Sequence, residues 1–463
     1  MPPSVFKGSF YNISGVVYRQ ANELGDDLCY NSDYTSLNNK EMPEIVNLAS
    51  KIEKYLPADL VDFMRAAGQV VASRGQNLYL VGGVVRDLLL GQPNFDLDLV
   101  VEGDAIELAK QLAEVNPGKI TTYPLFNTAK IQWAKWSVDI ATARSESYAE
   151  PGALPTVKPS SIEKDLSRRD FTINAMAIRL SPSRYGELID IHGGRDDLEH
   201  KLVRILHEKS FIDDATRIWR GLRYEQRLGF QLEKKALKLL KRDIPMLDTI
   251  SGDRIRYELE CILQEERPEK VLRRAEELGV LAKLHPSLKG DGWLAERFEQ
   301  ARQLTSPNPP PMGLYLALMA YPLTAEENEQ LISHLRLPKS PAQTMGDAIS
   351  LKGKLKELTY PELRPSNIYR LLCGYSQSAI IANSLATDSA IARQHMEVFL
   401  SKLRYVKPAL NGNDLIQMGV TAGPQMKEIL QRLHEARLDG KATSKKDEEK
   451  LVKGWTKLGK ANP

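Results

Sequence analysis

Apolar positions along this chain change their spacing part-way, and the change divides it. Asn77-Leu78-Tyr79-Leu80-Val81 is apolar and β-prone, which predicts a buried strand ending at Gly82-Gly83. Val84–Leu90 then reads as a short helix stopped by Gly91-Gln92-Pro93, and Phe95–Val101 as a second strand. Helical spacing is also expected over 43–55, 58–73 and Ala105–Glu114, and strands over Ala129–Trp133, Ser137–Ala143, Ile173–Leu180 and Glu187–Ile191. Arg144–Ser160 carries three prolines and one glycine, so a mobile loop is expected there. From about Ser210 onward, i, i+3, i+4 spacing takes over, in Leu222–Leu228, Lys234–Leu247, Asp253–Leu263 and Pro268–Leu278. The proline run Ser306–Pro311 reads as a subdomain joint, and no fixed-period repeat is present. Residues 1–42 are rich in Asn, Ser, Asp, Gly and Tyr without periodicity and read as an extension. The expected class is α+β: an N-terminal α/β head followed by an all-α remainder.

Composition changes this picture little. At 463 residues, two to four domains are expected. With 42% apolar and 27% charged residues, the balance is that of an ordinary soluble protein. The formal charge of +3 is too small to imply a polyanion partner by itself. Cys29, Cys261 and Cys373 lie far apart without metal-ligand spacing, which argues for a reducing compartment and against zinc. No stretch approaches a membrane span, and Met1-Pro2-Pro3 does not open a secretory signal, so a cytoplasmic protein is expected. Charge is concentrated at the end: residues 401–463 hold thirteen Lys/Arg against seven Asp/Glu. That excess suits a grip on phosphate backbone, and suits equally a solvated helix face.

Three constellations carry candidate chemistry. In the first, glycines at a strand-to-helix turn let backbone N–H groups approach a phosphate. Asp96-Leu97-Asp98 follows, and period-two alternation puts both carboxylates on one face. Side by side they repel unless a cation sits between them, which suits Mg²⁺ held with nucleotide phosphates. The flanking Phe95, Leu97, Leu99, Val100 and Val101 place the pair on a core strand, where unpaired charge is costly. The second is Arg168-Arg169-Asp170-Phe171-Thr172-Ile173-Asn174. Its arginines suit paired phosphate oxygens, and Asp170 and Asn174 either fix a ribose or orient the arginines. In the third, Arg217, Arg220 and Arg223 recur every three residues, with Asp214 three before the first. Like charges at that spacing repel on a bare helix, and make sense against a polyanion. An Asp acceptor beside an Arg donor can also read the Watson–Crick edge of a base. Together these features point to nucleotidyl transfer.

Over residues 77–265 their order and spacing resemble the class II tRNA nucleotidyltransferase and poly(A) polymerase family of the DNA polymerase beta superfamily. The resemblance rests on Gly82-Gly83-x-x-Arg86-Asp87, Asp96-x-Asp98, Arg169–Ala175, Asp214-x-x-Arg217 with Arg220 and Arg223, and Asp253-Arg254-Ile255. Leu410–Ile416, Gly423-Pro424 and Ala436–Gly440 look like the family's tail. The resemblance implies a catalytic head over 43–182, a base-selecting neck over 183–266, and a tRNA-binding body and tail over 267–463. It implies Asp96 and Asp98 as metal-holding catalytic carboxylates, with Asp139 a third carboxylate. It implies nucleotide contacts from Gly83, Arg86 and Arg169, a phosphate and ribose setting that includes Asp170 and Asn174, base reading by Asp214 and Arg217, and support from Arg220 and Arg223. The implied cofactor is Mg²⁺; the implied partners are the tRNA 3′ end, CTP and ATP, with no membrane and no protein partner.

The resemblance has departures. The base-reading pattern begins Asp213-Asp214 where the family has Glu-Asp, and Ala215 stands where a proline is common. No His-Asp phosphohydrolase pattern accompanies it. Completion of the tRNA CCA end is the leading expectation. CC-only addition is disfavoured by the long Arg144–Ser160 segment. A-only addition is kept open by Pro151–Val157 and Tyr224–Arg227, and poly(A) polymerase shares the head. An antibiotic adenylyltransferase would not need the Arg217 helix, and a non-catalytic RNA-binding scaffold is at odds with intact Asp96, Asp98 and Arg169.

Overall fold

The structure, a computed structural model, describes residues 46–115, 118–150, 152–153 and 155–458. The extension expected over 1–42 lies outside the described residues. The described residues from Asn47 onward form one compact unit.

The head opens with two helices, α1 (Ala49–Tyr55) and α2 (Ala58–Ala72), the latter burying Leu60, Phe63, Met64, Ala67 and Val71. Then come β1 (Leu78–Val81), α3 (Gly83–Leu89), β2 (Leu97–Val101), α4 (Ala105–Val115), β3 (Lys119–Tyr123), β4 (Thr128–Trp133) and β5 (Trp136–Thr142). A hairpin of β6 (Arg144–Ser147) and β7 (Thr156–Pro159) follows, then α5 (Ile162–Ser167), β8 (Ala177–Arg179) and β9 (Leu188–Ile189). Seven strands form one mixed sheet in the order β3-β4-β5-β2-β1-β8-β9, with β2 and β5 parallel. All four β1 residues are buried, as expected of a central strand covered on both faces. On β5, Val138, Ile140 and Thr142 are buried while Asp139 and Ala141 turn to the open face. The β2–β5 register pairs Asp98 with Asp139 on that face.

Helices dominate the rest. After the sheet come α6 (Gly194–Glu199), β10 (Leu202–Val203), α7 (Ser210–Asp213), α8 (Thr216–Leu228), β11 (Gln231–Leu232), α9 (Lys234–Asp243), α10 (Gly252–Leu263) and α11 (Pro268–Glu277). Further helices run from Gly292–Thr305 to Lys445–Leu458, around a core that includes Leu351, Leu372, Ile380, Met396 and Phe399.

Four expectations are corrected. The ends of Arg144–Ser160 form an antiparallel hairpin, pairing Arg144–Ser147 with Thr156–Pro159, with Pro155 outside the ladder and Pro159 at its end. Ile173–Leu180 begins with a 3-10 turn over Thr172–Asn174, and only Ala177–Arg179 is strand. Ser306–Pro311 is the turn between helices Gly292–Thr305 and Met312–Met319, which pack on each other within one compact unit. The β2 strand starts at Leu97, so Asp96 precedes the ladder and Phe95, 46% exposed, is not core.

The basic end is also built in. On helix Lys445–Leu458, Val452 joins a core with Leu410, Leu415, Ile429 and Leu433. Glu448, fully buried, accepts from the backbone N–H of Ala409 and Leu410, and Lys445 pairs with Asp414 at 2.8 Å.

Candidate active site

One cavity of about 650 Å³ joins the sheet to the neck. Asp98 and Asp139 line it from the sheet, Arg169, Asp170 and Asn174 from the loop after α5, and Asp214, Arg217 and Arg220 from the start of α8 and the turn preceding it. Segments separated by more than a hundred positions thus face a single space.

The glycine turn places both Gly82 and Gly83 on the cavity. Gly82 sits at φ +79°, open to glycine at little cost, and a Cβ there would meet the Asp98 carboxylate at 3.2 Å and the Arg169 guanidinium at 3.3 Å. Gly83 lines the cavity and is the first residue of α3.

The acidic side is short of compensation. Burial raises the Asp98 carboxyl, Arg169 lowers it, and the charges of Asp96 and Asp139 raise it again, leaving it at about 6. Asp139 is met by Lys130, whose Nζ lies 3.0 Å from Oδ2. Lys130 projects from β4 opposite Asp139 by register, a neighbour that spacing along the chain does not reveal. Asp96 is exposed and does not line the cavity, although its charge acts on Asp98. Among the described residues no group of three or more His, Cys, Asp or Glu side chains is placed to hold a metal ion by itself. The donor set fits a hard cation completed by phosphate oxygens: carboxylate oxygens on one face, with one carboxyl driven up by burial and then by neighbouring charge.

The basic side is held by acids that local spacing did not single out. Asp165, fully buried on α5, binds Arg168 through Oδ1 and Arg169 through Oδ2, at 2.7 and 3.0 Å. Glu146 on the hairpin takes Arg144 at 3.0 Å and Arg168 at 2.8 Å. Arg217 donates to Ser210 Oγ at 2.8 Å and to the Arg168 carbonyl at 2.8 Å, which fixes its guanidinium at the neck–head seam. Asp170 spends one oxygen on the Phe171 N–H and Asn174, and the other on Arg220 Nε and Nη2 at 2.9 and 2.6 Å. Burial would raise the Asp170 carboxyl; Arg220 outweighs it and holds it at about 2. Of the two readings of Asp170 and Asn174, the geometry has them orienting arginines: Asn174 Oδ1 accepts from Arg86 at 2.6 Å.

Two expected nucleotide contacts are displaced. Arg86 is 2% exposed, ion-paired with Asp87 and stacked over Tyr224, because its helix turns it beneath the glycine turn. Arg223 lines a different cavity and is matched by Glu258 and Glu265 at 3.6 and 3.5 Å. Mutual repulsion along α8 is therefore relieved by acids on and just after α10, with Glu258 bridging Arg220 and Arg223. Neither acid could be paired from local spacing.

Comparison with known proteins agrees with this geometry. Residues 78–204 match the poly A polymerase head domain, and residues 229–291 match a model described as "Probable RNA and SrmB- binding site of polymerase A". The chain is similar to the A-adding tRNA nucleotidyltransferase of Geobacter sulfurreducens, 34% identical over 88% of this chain, though it spans about half (48%) of that relative. It is similar to the A-adding tRNA nucleotidyltransferase of Halalkalibacterium halodurans, 32% identical over 87% of this chain and 94% of the relative. The Thermotoga maritima CCA-adding enzyme complexed with tRNA-CCA superposes with a TM-score of 0.71 at 31% identity, covering 90% of this chain and 100% of that one. Carboxylates on the sheet, arginines on the neck and these likenesses lead to one assignment: the chain belongs to the tRNA nucleotidyltransferase family built on a poly(A) polymerase head domain.

Proposed function

We propose that this protein completes the 3′-terminal CCA of tRNA without a template, transferring CMP and AMP from CTP and ATP and releasing pyrophosphate. The observation that carries the reading is the single cavity shared by Asp98, Asp139, Asp214 and Arg217. Asp96 and Asp98 would hold Mg²⁺, which when bound supplies charge neutralisation on the phosphates. Arg169 and Arg220 face the cavity and bind phosphate oxygens, their planar forks held by Asp165 and Asp170. The tRNA 3′-hydroxyl attacks the α-phosphorus in line; the new O–P bond forms as the bond to pyrophosphate breaks, and the hydroxyl proton is released to solvent. Positioning and charge compensation do most of this work.

For the base, the Asp214 carboxylate accepts from the exocyclic amine of cytosine or adenine, and Arg217 donates to the ring edge. Uracil and guanine present a keto oxygen at that place, which a carboxylate repels. Asp139, tied to Lys130, serves as the third carboxylate. Arg86, Asp170 and Asn174 orient the site, with the head over 43–182, the neck over 183–266, and the body and tail over 267–463 gripping tRNA. The scattered cysteines support a reducing, cytoplasmic setting. Among the described residues no helix is long and apolar enough to cross a membrane.

A-only addition is the second reading, favoured by the names of the Geobacter and Halalkalibacterium relatives. The test is incubation of purified protein with tRNA ending before CCA, or ending in CC, and labelled CTP or ATP. Incorporation of both nucleotides supports CCA completion, and ATP alone on the CC end supports the second reading. A long A tract would indicate poly(A) polymerase; no incorporation would refute all three.

A further inference from the structure

We infer that Arg254 is a positioning residue that sets nucleotide selectivity by fixing the Asp214 carboxylate; this rests on the base-reading role proposed for Asp214. Asp214 has extended backbone at the C-terminal end of α7, immediately before the turn into α8. Its two oxygens are treated very differently. Oδ1 accepts three hydrogen bonds: from the Thr216 N–H at 3.0 Å, from Thr216 Oγ1 at 2.6 Å and from Arg254 Nη2 at 2.7 Å. Oδ2 takes none from the described residues, while the side chain lines the cavity.

The local turn explains the Thr216 bonds, since Asp side chains commonly bond the backbone two residues on. It does not explain Arg254, which comes from the first turn of α10, 40 positions away. The guanidinium is itself anchored, because Nη1 donates to the Gly152 carbonyl at 3.2 Å. Arg254 therefore stops rotation of the Asp214 carboxylate by helping to saturate one oxygen. Oδ2 is left as a single fixed acceptor. Arg217, the partner donor, is fixed independently by Ser210 and the Arg168 carbonyl. A base edge thus meets one acceptor and one donor at a set separation, and an amino group is accepted where a keto oxygen is not.

The experiment measures kcat/KM for ATP against GTP and for CTP against UTP on the two tRNA ends, in wild type, R254M, R254K, T216V and D214A. Loss of one well-placed acceptor geometry is worth about tenfold in discrimination. R254M is therefore expected to lower the amino-to-keto ratios about tenfold, with R254K recovering part of the loss and T216V showing a smaller fall in the same direction. A purely structural role would depress all four nucleotides alike and leave the ratios unchanged, which overturns the inference. Should R254M not fold, as read from its urea midpoint, R254K and T216V carry the test by the same ratios. If D214A collapses the ratios and the Arg254 variants do not, only this inference fails. If wild type does not discriminate, or D214A leaves the ratios unchanged, the base-reading proposal fails and this inference with it.

Discussion

Arg220→Met probes the joint between head and neck. Asp170 is 7% exposed and receives two charge-assisted hydrogen bonds from Arg220. Such bonds contribute roughly 1.5–3 kcal/mol each before desolvation is counted, and stranding a buried carboxylate costs about 3–5 kcal/mol. A second route gives a similar size. A carboxyl held at about 2 instead of its ordinary 3.8 stabilises the folded state by about 2.5 kcal/mol at neutral pH. Its folded value is depressed, so this stability is present above about pH 4 and lost as pH falls towards 2. Removing Arg220 leaves burial in charge and pushes Asp170 up, so the variant regains stability as acid protonates that carboxyl. The expected result is a deficit of about 3 kcal/mol at pH 7, shrinking by half or more at about pH 3, read from urea unfolding of variant and wild type at both values. A deficit under about 1 kcal/mol at pH 7, or one that does not change with pH, would refute the argument.

Other outcomes follow from the same geometry. Asp96→Ala is expected to abolish nucleotide incorporation while leaving tRNA affinity near normal; retained activity would remove Asp96 from the metal assignment. Asp98→Asn should abolish transfer yet stabilise the chelator-treated protein by up to about 3 kcal/mol at pH 7.5, because a carboxyl raised to about 6 costs stability above that pH. The gain should vanish below about pH 4, and a destabilised variant at pH 7.5 would contradict the charge crowding at that position. Replacing the exposed Lys446 and Lys450 by Gln should reduce the slope of log affinity for tRNA against log salt by about 0.7–0.9 for each phosphate they neutralise. An unchanged slope would mark those lysines as a solvated face.

What the sequence conveyed follows from which forces are local. The strand–turn–helix at Leu78–Leu89 and the helices after Ser210 were legible, because glycine chemistry and apolar period act within a few residues. The hairpin that pairs Arg144–Ser147 with Thr156–Pro159 was not, because its prolines mask two short pairing segments with little apolar alternation. Several charged residues that line the cavity could be singled out from the sequence, but their partners could not. Arg220 and Arg223 read as a phosphate stripe, and only the packing of α10 on α8 brings Glu258 between them. Lys130 faces Asp139 by β4–β5 register, and Arg86 is turned inward by its own helix. Each of these is set by tertiary packing, which one sequence does not encode in its spacing.

The central claim is that one triphosphate lies between the carboxylate strand and the arginine helix. Its most direct test is a crystal structure of the protein with a non-hydrolysable ATP analogue and Mg²⁺. Phosphates are expected against Arg169 beside Asp98, and the adenine edge on Asp214 Oδ2 and Arg217. A triphosphate bound away from Asp98, or a base that touches neither Asp214 nor Arg217, would contradict it.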